Sequence, residues 1–146
     1  MIKGYTSGAF DLFHVGHLRL LKNARKNCDY LIVGVATDKL LLEMKGKKPV
    51  IPLEQRIEIL NAIPYVNKIV IKNFNNDIWI AYKCKAKIIF KGSDWKGKKK
   101  WKWIEVNAKA LGIKTKILPY TKNISSTKIR RKLNGFQKPT ENKNNE

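Results

Sequence analysis

Short apolar runs alternate with stretches whose apolar residues recur at helical spacing along most of the chain. Residues 2–5 read as a short strand entering a turn. Residues 30–36, Tyr-Leu-Ile-Val-Gly-Val-Ala, form a continuous apolar run, the pattern of a strand buried on both faces of a parallel sheet. Residues 68–71 alternate as a strand, 88–90 form another buried run, and 115–118 form a last strand. Helical patterns fill the gaps. Leu18, Leu20, Leu21 and Ala24 give an amphipathic stretch over 16–26. Pro52 precedes a helix over 53–60, which Pro64 closes off. Residues 77–83 and 103–111 follow, the latter ended by Gly112. A final helix over 125–133 takes Ser125 or Ser126 as its N-cap. This alternation predicts an α/β domain in three layers around a central parallel sheet, spanning residues 1–133. Residues 134–146 are polar and are expected to form a disordered tail.

Composition narrows this reading. At 146 residues with 43% hydrophobic content the chain has the size of one domain with a proper core. Two cysteines, Cys28 and Cys84, do not make a disulfide scaffold. No apolar run approaches the ~18 residues of a membrane span, so a cytoplasmic protein is expected. The net charge of +20 points to an anionic partner. Of the 31 basic residues 26 are lysines, scattered as at Lys68, Lys72, Lys83, Lys85, Lys87 and Lys91. A reader of phosphate forks or base edges favours arginine. Biased composition with a small anionic substrate fits better than a nucleic-acid function. Residues 98–103, Lys-Lys-Lys-Trp-Lys-Trp, mix cations with aromatics as a single-strand binder does. They read more simply as a basic loop entering a helix whose Trp103 packs inward, with Trp101 at the surface or against an acceptor.

Ligands of parallel sheets bind beyond the carboxyl ends of the strands. The loops at 6–17, 37–48, 91–100 and 119–127 are therefore the places to look. The first reads Gly8-Ala9-Phe10-Asp11-Leu12-Phe13-His14-Val15-Gly16-His17 and holds both histidines of the chain. Three residues apart, they share one helix face at a helix N-terminus, where free N–H groups favour anions. A phosphate site with two imidazole donors is one reading; capping or surface histidines are another. A zinc pair would need further ligands, and none stands nearby in the sequence, so no resident metal site is expected.

His14-Val15-Gly16-His17 in this context resembles the HxGH signature of the nucleotidyltransferase superfamily. From Gly4 to Leu133 the chain resembles its short cytidylyltransferase branch. Thr37-Asp38, Pro52-Leu53-Glu54-Gln55-Arg56, Gly92-Ser93-Asp94-Trp95-Lys96-Gly97 and residues 121–129 match further family blocks in order. The resemblance implies a Rossmann-like fold and transfer of CMP from CTP to a small phosphomonoester of the glycerol 3-phosphate kind, with Mg²⁺ on the triphosphate. It implies catalytic roles for His14, His17 and Lys47. It places Gly8, Ala9, Phe10, Gly92, Tyr120, Thr121, Ile124, Ser125, Ser126 and Thr127 at the nucleotide. It assigns Asp11, Asp38, Lys45, Asp94 and Trp95 to the acceptor, a ribose or hydrated magnesium. It also implies a homodimer. Glu54 and Arg56 are expected to pair and order their helix.

The chain departs from the family in two segments. Tyr120-Thr121-Lys122-Asn123 stands for the family's Arg-Thr-Glu-Gly, and Pro64-Tyr65-Val66-Asn67 for Arg-Tyr-Val-Asp. Lys122 replaces the charge of the lost arginine but not its bidentate geometry. Base and acceptor choice are thereby open. An adenylyltransferase using ATP on a sugar-phosphate or flavin-type acceptor is the alternative within the superfamily. A basic nucleic-acid-binding module on the same fold is the alternative outside it.

Overall fold

The computed structural model describes residues 1–119 and 126–143. Five strands, β1 (Lys3–Gly8), β2 (Tyr30–Ala36), β3 (Lys68–Lys72), β4 (Ile88–Gly92) and β5 (Lys114–Leu118), form one sheet in the order β3-β2-β1-β4-β5. Every neighbouring pair is parallel. The helices are α1 (Val15–Lys26), α2 (Asp38–Lys45), α3 (Leu53–Asn61), α4 (Asp77–Lys83), α5 (Lys99–Ala110) and α6 (Ser126–Lys143). The chain winds outward from β1 through β2 to β3, then returns to the other side of β1 for β4 and β5. The order therefore reverses between β1 and β4, where doubly wound sheets open a crevice for ligands.

Period-two alternation along the strands divides the core into two faces. Tyr5, Ile32 and Ile89 pack with Ile78 and Ala81 of α4 and with Trp101, Ile104 and Ala108 of α5. Leu31, Val33, Val35 and Phe90 pack with Leu21 and Ala24 of α1 and Leu60 of α3. Helices thus cover both faces, the three-layer Rossmann-like arrangement expected from the sequence.

Several boundaries differ from the sequence reading. β1 runs on to Gly8, so Thr6 and Ser7 are buried strand residues rather than loop. Residues 37–48 contain α2, where only a loop was expected. Thr37 caps this helix by accepting from Leu40 N, Leu40 and Leu41 are buried, and Gly46 ends it at φ 72°. α5 begins at Lys99 rather than 103, and this reverses the roles of two tryptophans. Trp101, Ile104 and Ala108 form the buried stripe, while Trp103 is 56% exposed. Trp103 therefore faces outward and Trp101 inward, because Trp101, not Trp103, falls in the i, i+3, i+7 stripe facing the sheet. α6 continues beyond Leu133.

Candidate active site

The loop leaving β1 sits at the reversal point of the sheet and is held in an unusual shape. Phe10 and Leu12 both have left-handed backbones, φ 52° and 50°. Non-glycine residues pay roughly 1–3 kcal/mol each for such conformations, so surrounding contacts must enforce them. Asp11, 2% exposed, does much of this. Its Oδ1 accepts from Leu12 N at 3.1 Å and Ile51 N at 2.8 Å, and its Oδ2 from Val50 N at 2.8 Å and from Arg130. Burial alone would raise its pKa, but the Val50 and Ile51 amides and Arg130 hold it below the ordinary carboxylate value. The Ser126 hydroxyl donates to the Asp11 carbonyl and draws the start of α6 onto the loop. Asp11 therefore clamps three segments, and its carboxylate lone pairs are already engaged.

Arg56 is the second clamp. It is 1% exposed, and its guanidinium donates to Ile51 O at 2.9 Å, Ala9 O at 2.8 Å, Ala36 O at 2.7 Å and Asp38 Oδ1 at 2.6 Å. Its ion-pair partner is Asp38 and not Glu54, because the side chain runs inward to the strand ends rather than along its own helix. One residue thus ties the loop after β1, the end of β2 and the entry to α3.

The histidines form a reciprocal cap on α1. Gly16 N donates to His14 Nδ1 at 3.0 Å, and His14 N donates to His17 Nδ1 at 3.2 Å. The rings stack with centroids 3.9 Å apart, and His17 also meets the rings of Phe10 and Phe13. Burial lowers the pKa of His14. Burial first, and then His14, push His17 down to about 4, against the opposing pull of Asp11. Both rings are neutral near pH 7. Because each Nδ1 accepts a backbone N–H, each proton sits on Nε2. The capping geometry thus yields two fixed Nε2–H donors at a helix N-terminus.

A second cluster lies under the carboxyl ends of β1, β3 and β4. Asp77 Oδ1 lies 3.0 Å from Lys72 Nζ, and Asp77 Oδ2 lies 3.3 Å from Lys91 Nζ. Tyr5 and Ser7 hydroxyls donate to Asp77 Oδ1 at 2.9 and 2.7 Å. Burial would raise the Asp77 pKa, but Lys91, Lys72 and Ser7 together hold it well below the usual range. Burial lowers that of Lys91 and raises that of Tyr5. Gly34 makes room for this cluster, since a Cβ there would stand 2.5 Å from the Tyr5 hydroxyl. Neither Lys72 nor Lys91 stood out in the sequence, where both belong to the scattered lysines. The one available signal was a lysine placed between Phe90 and Gly92 in a strand otherwise fit for burial.

Two pockets meet beside the loop. One, of about 330 Å³, lies between the 45–50 segment and α6, and Asp11, Lys45, Lys47 and Arg130 line it. The other, of about 590 Å³, has Ser7, Gly8, Lys72, Lys91 and Trp95 among its walls. Ala9, Leu41 and Lys45 border both. The expected residues Gly8, Ala9, Asp11, Lys45, Lys47 and Trp95 are thus gathered around one opening. His14 and His17 line neither pocket; His17 packs on Phe10, the residue between Ala9 and Asp11. Asp94 and Thr127 are exposed, Ser126 lies against the loop, and Gly92 enters the 3-10 turn Ser93–Trp95. Tyr120, Thr121, Ile124 and Ser125 lie outside the described residues. Arg130, which nothing in the sequence singled out, completes the smaller pocket. Among the described residues no three His, Cys, Asp or Glu side chains converge as a metal site, and no helix is long and apolar enough to cross a membrane.

Comparison with known proteins bears on the family and the fold. The glycerol-3-phosphate cytidylyltransferase of Bacillus spizizenii is 38% identical over 132 residues, covering 90% of this chain and 96% of that one. The FAD synthase of Pyrococcus abyssi is 46% identical over 70 residues, 48% of this chain and 47% of that one. The solved structure of the lipopolysaccharide core biosynthesis protein from Thermoplasma volcanium superposes with a TM-score of 0.70 at 27% identity, covering 85% of this chain and 99% of that one. The Cytidylyltransferase-like family matches residues 5–132. That span holds the paired histidines, both clamps and the buried lysine cluster, and the chain belongs to this family of nucleotidyltransferases.

Proposed function

We propose that the protein transfers CMP from CTP to a small phosphomonoester such as glycerol 3-phosphate. A phosphate oxygen of the acceptor attacks the α-phosphorus, the bond to the β-phosphate breaks, and pyrophosphate leaves. No covalent enzyme intermediate is required, so catalysis is positioning and charge stabilisation. The observation that carries the reading is the His14–His17 cap, which fixes two neutral Nε2–H donors at the N-terminus of α1, directly after the loop at the reversal point of the sheet. Such donors stabilise charge that grows on phosphoryl oxygens as the pentacoordinate transition state forms.

In this reading Lys45, the last residue of α2, and Lys47, two residues on, supply exposed cationic charge. Ser126 and Thr127 offer the start of α6 to the β- and γ-phosphates. Gly8, Ala9, Phe10 and Gly92 border the nucleotide. Asp38 and Asp94 face hydroxyl groups, while Asp11 shapes the loop. Mg²⁺ is carried on the triphosphate as part of the substrate, in keeping with its preference for phosphate oxygens and water. The reading includes a cytoplasmic homodimer, which sedimentation velocity tests.

Pyrophosphate release with Mg²⁺ and glycerol 3-phosphate, run separately with CTP and ATP, tests the assignment. Turnover with CTP supports it. Turnover with ATP alone assigns adenylyl transfer instead. Silence with both, together with salt-dependent oligonucleotide binding that His14→Ala leaves intact, favours a nucleic-acid module.

A further inference from the structure

The floor of the larger pocket carries an unbalanced charge. Lys72 and Lys91 are 6% and 5% exposed, and both line the pocket. They come from opposite sides of β1, Lys72 ending β3 and Lys91 lying one residue before the end of β4. Between them lies a single carboxylate, Asp77, the one acidic residue among the described residues that wall the pocket. Buried charges normally come paired, because removing an ion from water costs several kcal/mol. Here two cations share one buried anion; the further carboxylate that acts on Lys91, Asp94, is exposed to water and stands outside the pocket walls.

The hydrogen-bond inventory says where the surplus lies. Asp77 Oδ1 already takes Tyr5, Ser7 and Lys72, and Oδ2 takes Lys91. The Ser7 hydroxyl spends its proton on Asp77 and accepts from Lys91 at 2.9 Å and Lys72 at 3.5 Å. Its carbonyl accepts from Lys91 at 3.4 Å. The acceptors are thus engaged, while Lys72, with three N–H groups, uses two. Lys91 also stands 4.5 Å from the ring centre of Trp95, which walls the same pocket. Lys45, Lys99 and Lys100 at the rim add positive charge and no carboxylate.

We propose that this floor selects an acceptor phosphomonoester that carries a second acidic group, a carboxylate or another phosphate, and rejects one with a cationic head group. The inference rests on the proposed transferase function and takes the part of this pocket walled by Trp95, Lys72 and Lys91 as the acceptor site, with Gly8 and Ala9 on its nucleotide side. The reacting phosphate lies at the shared border by Ala9 and Lys45. The far end of the acceptor meets Lys72 and Lys91, and its acid supplies the anion that the cluster lacks. A choline-type head group there meets two buried ammonium ions instead.

Calorimetric titration of the nucleotide-free protein tests this at 0.15 M salt, where surface lysines are largely screened. The probes are glycerol 3-phosphate, 3-phosphoglycerate on the same carbon skeleton, and phosphocholine. The acid-bearing ester is expected to bind at least tenfold more tightly than glycerol 3-phosphate, and phosphocholine more weakly than either. Lys72→Met and Lys91→Met are each expected to narrow the gap between the first two to threefold or less. Equal binding of all three probes by the native protein overturns the proposal, whether or not the variants fold. A tenfold gap that survives in a folded variant at either lysine also overturns it. Pyrophosphate release with CTP, measured on the same samples, separates the two readings. Silence with every ester alongside the expected binding order sinks the transferase assignment and leaves this one. Turnover of glycerol 3-phosphate with no preference for the acid sinks this one and leaves the transferase.

Discussion

Arg56→Met removes a guanidinium that is 1% exposed. Three backbone carbonyls, Ile51 O, Ala9 O and Ala36 O, lose their bonds to this group. An orphaned buried acceptor costs about 1–2 kcal/mol, giving about 3–6 kcal/mol for three. Asp38 adds little, because its side chain is 38% exposed and rehydrates. Methionine refills most of the stem volume, so the cavity cost is small. The expected loss is about 4 kcal/mol. At roughly 2–4 °C per kcal/mol for a domain of this size class, the melting temperature falls by about 8–16 °C. Arg56→Lys keeps the charge but presents an ammonium in place of the fork, and should recover no more than about half of the loss. Urea unfolding followed by far-ultraviolet circular dichroism measures both. A loss below about 1 kcal/mol in the methionine variant, or wild-type stability in the lysine variant, refutes the clamp.

Three further outcomes are expected. His14→Ala and His17→Ala should each lower kcat by about 10²–10³-fold, with circular dichroism unchanged; a loss below tenfold means the donors do not act on the transition state. The folded-state pKa of His17, about 4, lies below the ordinary 6.5, so the unfolded chain binds the extra proton between these values. Stability therefore falls as pH drops from 6.5 to 4, by about 2–3 kcal/mol after allowing for partial exposure. His17→Gln should remove that part of the slope, and parallel stability curves from pH 7 to 4.5 contradict it. Gly34→Ala drives a methyl group against the Tyr5 hydroxyl 2.5 Å away and should cost about 1–3 kcal/mol by displacing it from Asp77; a neutral substitution means that the approach is not needed.

The sequence made the sheet and the histidine pair legible for the same physical reason. Residues 30–36 and 88–90 have to be buried, and two histidines at i and i+3 have to share a helix face. α2 is hard to read because lysines dominate residues 37–48, while Thr37, Leu40, Leu41 and Gly46 carry its cap, buried pair and stop. Trp101 and Trp103 were exchanged by placing the helix start four residues late. The lysine cluster was hidden by abundance. In a chain with 26 lysines, only three-dimensional proximity distinguishes Lys72 and Lys91 from lysines that face water. Asp77 was an unremarkable helix-start carboxylate until Tyr5, from β1, was seen to donate to it. Arg130 and Asp11 are separated by 119 positions, and no local pattern joins them.

The proposed reaction makes one new bond, between the α-phosphorus of CTP and the acceptor phosphate. Phosphorus NMR of the protein with Mg²⁺, CTP and glycerol 3-phosphate observes that bond directly. Two mutually coupled diphosphate resonances from a new CMP–acceptor diester are expected, growing together with free pyrophosphate and slowed about 10²–10³-fold with His14→Ala. Unchanged CTP and ester spectra in a folded sample, with no diester after prolonged incubation with either glycerol 3-phosphate or 3-phosphoglycerate, contradict the proposed reaction.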